Sequence, residues 1–365
     1  MSASDLAPHY IRAIAPYQPG KPISELAREL GLDPASIIKL ASNENPLGVS
    51  PLAQQAISAV LSDLSRYPDG NGFELKQALK RRFGVPTDCM VLGNGSNDVL
   101  DLAARAFLRP GDEAVYSQHA FAVYPIAVQA IGARGIEVPA RDYGHDLDAM
   151  ARAVTGKTRI VFIANPNNPT GTLVPASALE SFIAALPEHV LTVLDEAYNE
   201  YLPHEVRSDT LQWLGRFPNL VITRTLSKVY GLAGLRVGYA FASTEVADLM
   251  NRVREPFNVN SVALAAGAAA LRDEDFIRKS FELNCAGMKQ ITEGLTRLGI
   301  EYIPSYGNFV SFEVPDAVEV FQRLLQAGVI VRPIAGYGMP NHLRVSIGLK
   351  SENARFLESL QRAIA

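Results

Sequence analysis

Cysteine is nearly absent: Cys89 and Cys285 are the only two in 365 residues. One distant pair is too sparse for a disulfide framework or a zinc site, so a reducing, cytoplasmic setting with no bound metal is expected. Long apolar runs are missing too. No stretch approaches the ~18 uninterrupted apolar residues of a membrane span, and MSASDLAPHYIRAIAPYQPG at the start has neither the basic onset nor the apolar run of a secretory signal. Basic charge is not in excess. The 34 basic and 38 acidic residues leave a net charge of −4 without blocks of one sign, which argues against a nucleic-acid or anionic-membrane partner. There is also no repeat of fixed period and no low-complexity tract. What remains is ordinary globular composition, 48% hydrophobic and 20% charged. At about 150 residues per domain the length predicts two domains, or one with an appendage.

The first 45 residues carry prolines at 8, 16, 19, 22 and 34 and read as an arm with one short helix, 23–30, closed by Gly31. From about residue 73 the pattern alternates. A helix is predicted over 73–83, where Leu75, Ala78, Leu79 and Phe83 recur at helical spacing. A short apolar run at 90–92 leads through Gly93-Asn94-Gly95-Ser96 into a second helix ending near 108. Short strands are predicted at 113–117 and 135–139. The runs 159–164, 191–194, 220–223 and 236–241 are β-branched or apolar without clean alternation, the mark of strands buried on both faces of a mainly parallel sheet. With helical segments such as 176–185 between them, an α/β domain with helices on both sheet faces follows. After about residue 260 the texture changes. Helices at 261–271, 275–298 and 316–327, strands at 308–314, 329–332 and 343–347, and a closing helix from Glu352 suggest a smaller α+β domain. The expected division is an arm over 1–45, a large domain over 46–260 and a small domain over 261–365.

Chemistry-bearing residues cluster where strands end, the edge at which open α/β sheets bind ligands. The 159–164 run enters Asn165-Pro166-Asn167-Asn168-Pro169-Thr170-Gly171, which alone could be a plain turn. The next run ends in Asp195-Glu196-Ala197-Tyr198, where an acidic pair is commonly a helix cap or metal ligand, and no histidine cluster supports a metal. The third ends in Thr225-Leu226-Ser227-Lys228, ahead of Gly234-Leu235-Arg236. A lone lysine there could be a solvated turn, since most lysines are surface residues. A lysine, an aspartate, a tyrosine, an asparagine and an arginine projecting from one sheet edge fit a shared site better than five separate turns.

In their order and spacing, Gly-Ser-Asn at 95–97, Asn-Pro-Thr-Gly at 168–171, Asp-Glu-Ala-Tyr at 195–198, Ser-Lys at 227–228 and Gly-Leu-Arg-Val-Gly at 234–238 resemble the pyridoxal-phosphate-dependent enzymes of the aspartate aminotransferase fold. The resemblance implies roles. Lys228 would hold the cofactor aldehyde as a Schiff base and then move the substrate proton. Asp195 would keep the pyridine nitrogen protonated. Tyr198 and Asn168 would donate to the ring oxygen, and Phe121 would stack on the ring or simply pack in the core. Ser96 and Asn97 at a helix start, with Thr225, Ser227 and Arg236, would cradle the phosphate. Tyr67 would reach the phosphate of a neighbouring subunit, which makes the expected assembly a homodimer with shared sites.

Pro16-Tyr17-Gln18, the 40–46 stretch LASNENP, Arg66-Tyr67-Pro68-Asp69 and Arg224-Thr225-Leu226-Ser227-Lys228 are similar to the histidinol-phosphate branch of that family, over nearly the whole chain. This implies transfer of the amino group of histidinol phosphate to 2-oxoglutarate by a ping-pong route, in histidine biosynthesis. Arg332 and Arg344 would bind the substrate phosphate and the glutamate carboxylates. Tyr17 would contact the substrate phosphate or serve only arm packing, and Arg332 could be a surface strand-end charge. The loop Ile334-Ala335-Gly336-Tyr337-Gly338-Met339-Pro340 is less polar than in the strictest members and leaves phenylalanine or tyrosine as alternative substrates. A decarboxylase of a phosphorylated amino acid is a further alternative. A transcription regulator is not expected, because no basic patch and no DNA-binding segment precede residue 40.

Overall fold

The structure, a computed structural model, describes residues 2–365. In chain order its strands are β1 (Ile38–Lys39), β2 (Met90–Gly93), β3 (Glu113–Ser117), β4 (Arg134–Val138), β5 (Thr158–Ala164), β6 (Leu191–Asp195), β7 (Leu220–Thr225), β8 (Gly238–Ala242), β9 (Tyr302–Ile303), β10 (Phe309–Glu313), β11 (Val329–Ile330), β12 (Arg332–Pro333) and β13 (His342–Ser346). Seven of them form the central sheet in the order β2-β8-β7-β6-β5-β3-β4. All neighbours run parallel except β8, which is antiparallel to β2 and β7.

The strands lack alternation because both faces are covered. Ile160, Phe162 and Ala164 of β5 pack with Val99, Leu102 and Val128 from helices Ser96–Phe107 and Val123–Ala130. The intervening Val161 and Ile163 pack on the other face with Met150, Phe182 and Ile183 from helices Leu147–Ala153 and Ala176–Ala185. The period of two survives, but both phases are apolar. The parallel strands place their carboxyl ends on one edge, where Ala164 pairs with Asp195 and Asp195 with Thr223.

A second, antiparallel sheet has the order β12-β13-β10-β9. Val310, Phe312, Leu343 and Val345 face the helices Glu274–Arg297, Ala317–Gln326 and Lys350–Ile364. On its other face, Ser311, Arg344 and Ser346 reach across to Pro169, Asn168 and Asn43. This face carries the polar groups that meet the edge of the central sheet.

Two sequence expectations shift. The single strand expected over 329–332 is two: β11 pairs in parallel with β1 from the arm, and β12 pairs with β13. Pro333 has no N–H to donate, which suits β12 to the sheet edge it occupies. The run expected over 236–241 begins only at Gly238. Arg236 stays outside the strand with φ 56°, in the left-handed region, after the turn Ala233–Leu235. The helix Pro51–Val60 was not anticipated, although Ser50 caps it by accepting from the Ala53 N–H and Pro51 occupies its first turn. No helix among the described residues is long and apolar enough to cross a membrane.

Candidate active site

Every residue singled out from the sequence, except Tyr67, lines one cavity of about 180 Å³ at the carboxyl ends of β5, β6 and β7. A larger cleft of about 970 Å³, bounded by Tyr143, Phe182, Tyr302 and His342, holds no lysine and none of those residues. The smaller cavity is therefore the candidate site.

Lys228 follows β7. Its Nζ donates to the Ser42 carbonyl at 3.3 Å and lies 5.6 Å from the centre of the Tyr198 ring. Burial lowers its pKa to about 8. The Arg344 charge adds to that effect, and Glu44 opposes it. Near neutral pH this amine is thus far closer to its nucleophilic, unprotonated form than an exposed lysine. Asp195, the last residue of β6, is 5% exposed. Its Oδ2 accepts from the Tyr124 hydroxyl at 2.8 Å and its Oδ1 from the Ala197 N–H at 3.3 Å. The nearby Arg224 pairs with Glu196 instead, at 2.8 Å. Burial raises the Asp195 pKa, and the Tyr124 hydrogen bond opposes the rise. A buried carboxylate without a cation is costly, and the cavity beside it is suited to a protonated ring nitrogen.

One end of the cavity is built for an anion. Ser96 opens the helix Ser96–Phe107, whose first amides point outward. A Cβ on Gly95 would lie 2.5 Å from Arg236 Nη2, and one on Gly238 would lie 2.3 Å from the Ser96 nitrogen. Only glycine lets the helix start, β8 and the guanidinium converge. Asn97 and Ser227 border the same space. Thr225 accepts the Ser227 N–H at 3.1 Å and reaches the Val237 carbonyl at 3.5 Å, so it also shapes the loop.

Two further arginines line the cavity. Arg344 Nη1 donates to Asn168 Oδ1 and Nη2 to the Ala41 carbonyl at 2.9 Å, while the buried Nε has no acceptor among the described residues. Arg332 lies 5.5 Å over the Tyr17 ring and donates to the Gln18 carbonyl. Tyr17 is 51% exposed. Phe121 borders the cavity with its ring edge-on to Tyr124 at 5.9 Å.

Tyr67 lies elsewhere. It is 82% exposed and stacks on Phe257 at 4.8 Å, outside its own chain's cavity. Sequence reasoning missed two residues. Tyr124, three positions after Phe121, fixes the Asp195 carboxylate; its signal was a hydroxyl-bearing side chain inside an apolar helix. Asn43 donates to the Tyr198 hydroxyl at 2.9 Å; the LASNENP stretch was noticed as a motif, with no role given to that asparagine.

A lysine of lowered pKa beside a buried aspartate and three arginines in one cavity is an arrangement suited to amino-group chemistry. Residues 35–360 match the aminotransferase class I and II family, and the chain belongs to it. It is 66% identical to the histidinol-phosphate aminotransferase of Methylobacillus flagellatus, over 99% of this chain and 98% of that protein. It is 64% identical to histidinol-phosphate aminotransferase 2 of Nitrosospira multiformis, over 100% and 93%. Among solved structures, the histidinol-phosphate aminotransferase of Sinorhizobium meliloti in complex with pyridoxal 5'-phosphate superposes with a TM-score of 0.91 at 28% identity, covering 100% of this chain and 98% of that one.

Proposed function

We propose that this protein transfers the amino group of histidinol phosphate to 2-oxoglutarate, giving imidazole-acetol phosphate and glutamate, with pyridoxal 5'-phosphate as cofactor. The observation that carries the substrate reading is the pair Arg332 and Arg344 in the same cavity as Arg236, with Arg344 Nε unpartnered among the described residues. One end of the site can hold the cofactor phosphate while the other takes a phosphate ester or a carboxylate in turn.

The donor set fits that cofactor. Ser96, Asn97, Ser227 and Arg236 would hold the phosphate, Asp195 would accept a hydrogen bond from the protonated ring nitrogen and keep it protonated, and Asn168 and Tyr198 would donate to the ring oxygen. Phe121 would cover one face of the ring, and Thr225 would shape the loop that holds the phosphate. Bound there, pyridoxal phosphate supplies an aldehyde that joins an amine and a ring that accepts the electron pair of a broken Cα–H bond. The chain does the rest. Asp195, held by Tyr124 and the Ala197 N–H, keeps its charge aimed at one atom. Lys228 carries the proton to and from the substrate carbon. Arg344, braced by Asn168 and Ala41, and Arg332, over Tyr17, orient the anion of either substrate. Because both substrates use one pocket, initial rates at several fixed 2-oxoglutarate concentrations should give parallel double-reciprocal lines; intersecting lines would rule out the ping-pong route. The curated relatives lend no support to the aromatic or decarboxylase readings.

This reading includes a homodimer with shared sites, acting in the cytoplasm, and the division into an arm (1–45), a large domain (46–260) and a small domain (261–365). Tyr67 and Phe257 are exposed and stack on one another, and Leu61, Leu64 and Phe73, close to Tyr67 in the chain, are exposed as well; large exposed apolar side chains of this kind suit contact with a second subunit. If Tyr67 serves the partner's phosphate, Tyr67→Phe weakens cofactor binding about tenfold, the worth of one charge-assisted hydrogen bond. Mixing Tyr67→Phe with inactive Lys228→Ala subunits then restores one intact site per mixed dimer. Absence of complementation contradicts the shared site.

A further inference from the structure

The segment from Ala41 to Asn43 runs through the site, and each residue engages a functional side chain. The Ala41 carbonyl accepts from Arg344, the Ser42 carbonyl from Lys228, and the Asn43 amide donates to the Tyr198 hydroxyl. Asn43 is 1% exposed and has φ 55°, a left-handed conformation that asparagine tolerates better than most residues. Its amide orientation is set from the small sheet. Ser346 of β13 accepts the Asn43 backbone N–H at 2.8 Å, and its own proton goes to Asn43 Oδ1 at 3.0 Å. Asn308 donates to the Asn43 carbonyl at 3.1 Å. With Oδ1 occupied as an acceptor, the Nδ2 group is left to face Tyr198.

That fixes the tyrosine in turn. The Tyr198 oxygen accepts from Asn43, and its own proton has no acceptor among the described residues, while Tyr198 lines the cavity. Burial pushes the Tyr198 pKa up to about 12, so that proton stays on the oxygen at working pH. We propose that Asn43 is a positioning residue that makes Tyr198 a one-way hydrogen-bond donor to the cofactor's ring oxygen, and that Ser346 carries this control from the small sheet. The inference rests on the pyridoxal-phosphate reading of the site and adds a residue to it. Donation by Tyr198 stabilises charge on the ring oxygen. Losing it makes that oxygen more basic, strengthens the proton's hold between it and the lysine-linked nitrogen, and raises the pH midpoint of the holoenzyme's visible absorbance.

The test is a spectrophotometric pH titration of the holoenzyme. Asn43→Gly keeps the positive φ without strain and removes only the amide, so the midpoint should rise by about half to one pH unit. Asn43→Asp replaces the donor with an acceptor, draws the Tyr198 proton away from the cavity and should raise the midpoint further. Ser346→Ala should shift it in the same direction, which keeps the inference testable if the aspartate variant fails to fold. In a Tyr198→Phe background, Asn43→Gly should produce no additional shift. A wild-type midpoint in Asn43→Gly, or an undiminished shift without the tyrosine, overturns the positioning role even if kcat falls. A wild-type protein with no visible cofactor absorbance overturns the cofactor reading itself, which is a different result.

Discussion

Lys228→Ala is expected to lower kcat by about 10⁴-fold or more, because it removes both the covalent anchor and the group that carries the substrate proton. It should also abolish the visible absorbance of the holoenzyme while leaving the fold intact. Among the described residues the lysine makes one 3.3 Å bond to a carbonyl and no ion pair, so its removal breaks no salt bridge. The same environment predicts a pH effect in wild-type apoenzyme. Burial lowers the Lys228 pKa to about 8, so its amine is protonated below that pH and free above it. The rate of recombination with added pyridoxal phosphate should therefore rise with pH through a midpoint near 8 instead of the ordinary lysine range. A flat profile, or turnover surviving in Lys228→Ala, would show that another group does the work.

Asp195→Ala is expected to cost about 3–5 kcal/mol of the interaction with a buried protonated ring, roughly 10²–10⁴-fold in kcat/KM. The magnitude follows from the surroundings. Asp195 is buried, 5% exposed, and Arg224 on the neighbouring strand pairs with Glu196 instead of with it. Tyr124 would be left with an unmatched buried hydroxyl. Asp195→Asn keeps an acceptor for Tyr124 and removes only the charge. A comparable loss in that variant assigns the effect to charge; near-wild-type kinetics would assign it to packing.

How far the site could be read in the sequence depended on distance along the chain. Lys228, Asp195 and Asn168 were visible because each ends a strand or follows one closely, and parallel strands bring such ends to one edge. Arg236 was visible as a motif residue, but its position outside β8 was not, because the left-handed backbone there comes from the preceding turn. Asn43 and Ser346 were invisible as a pair. They are 303 residues apart, and no local periodicity joins an arm to a strand of another sheet. The same limit hid β1 with β11, two-residue strands too short to show alternation. Tyr67 was read from family likeness, and no feature of a single chain could place it in a site to which its own fold does not bring it.

The proposed function turns on selection of a phosphorylated amine by Arg332 and Arg344 in the lysine-bearing cavity. It is tested most directly by mixing the holoenzyme with a single amino donor and following the cofactor absorbance through one half-reaction. Histidinol phosphate and glutamate should each discharge the absorbance, phenylalanine should do so far more slowly, and Arg344→Ala should remove the preference for the phosphorylated amine. Rapid conversion by phenylalanine with none by histidinol phosphate would contradict it.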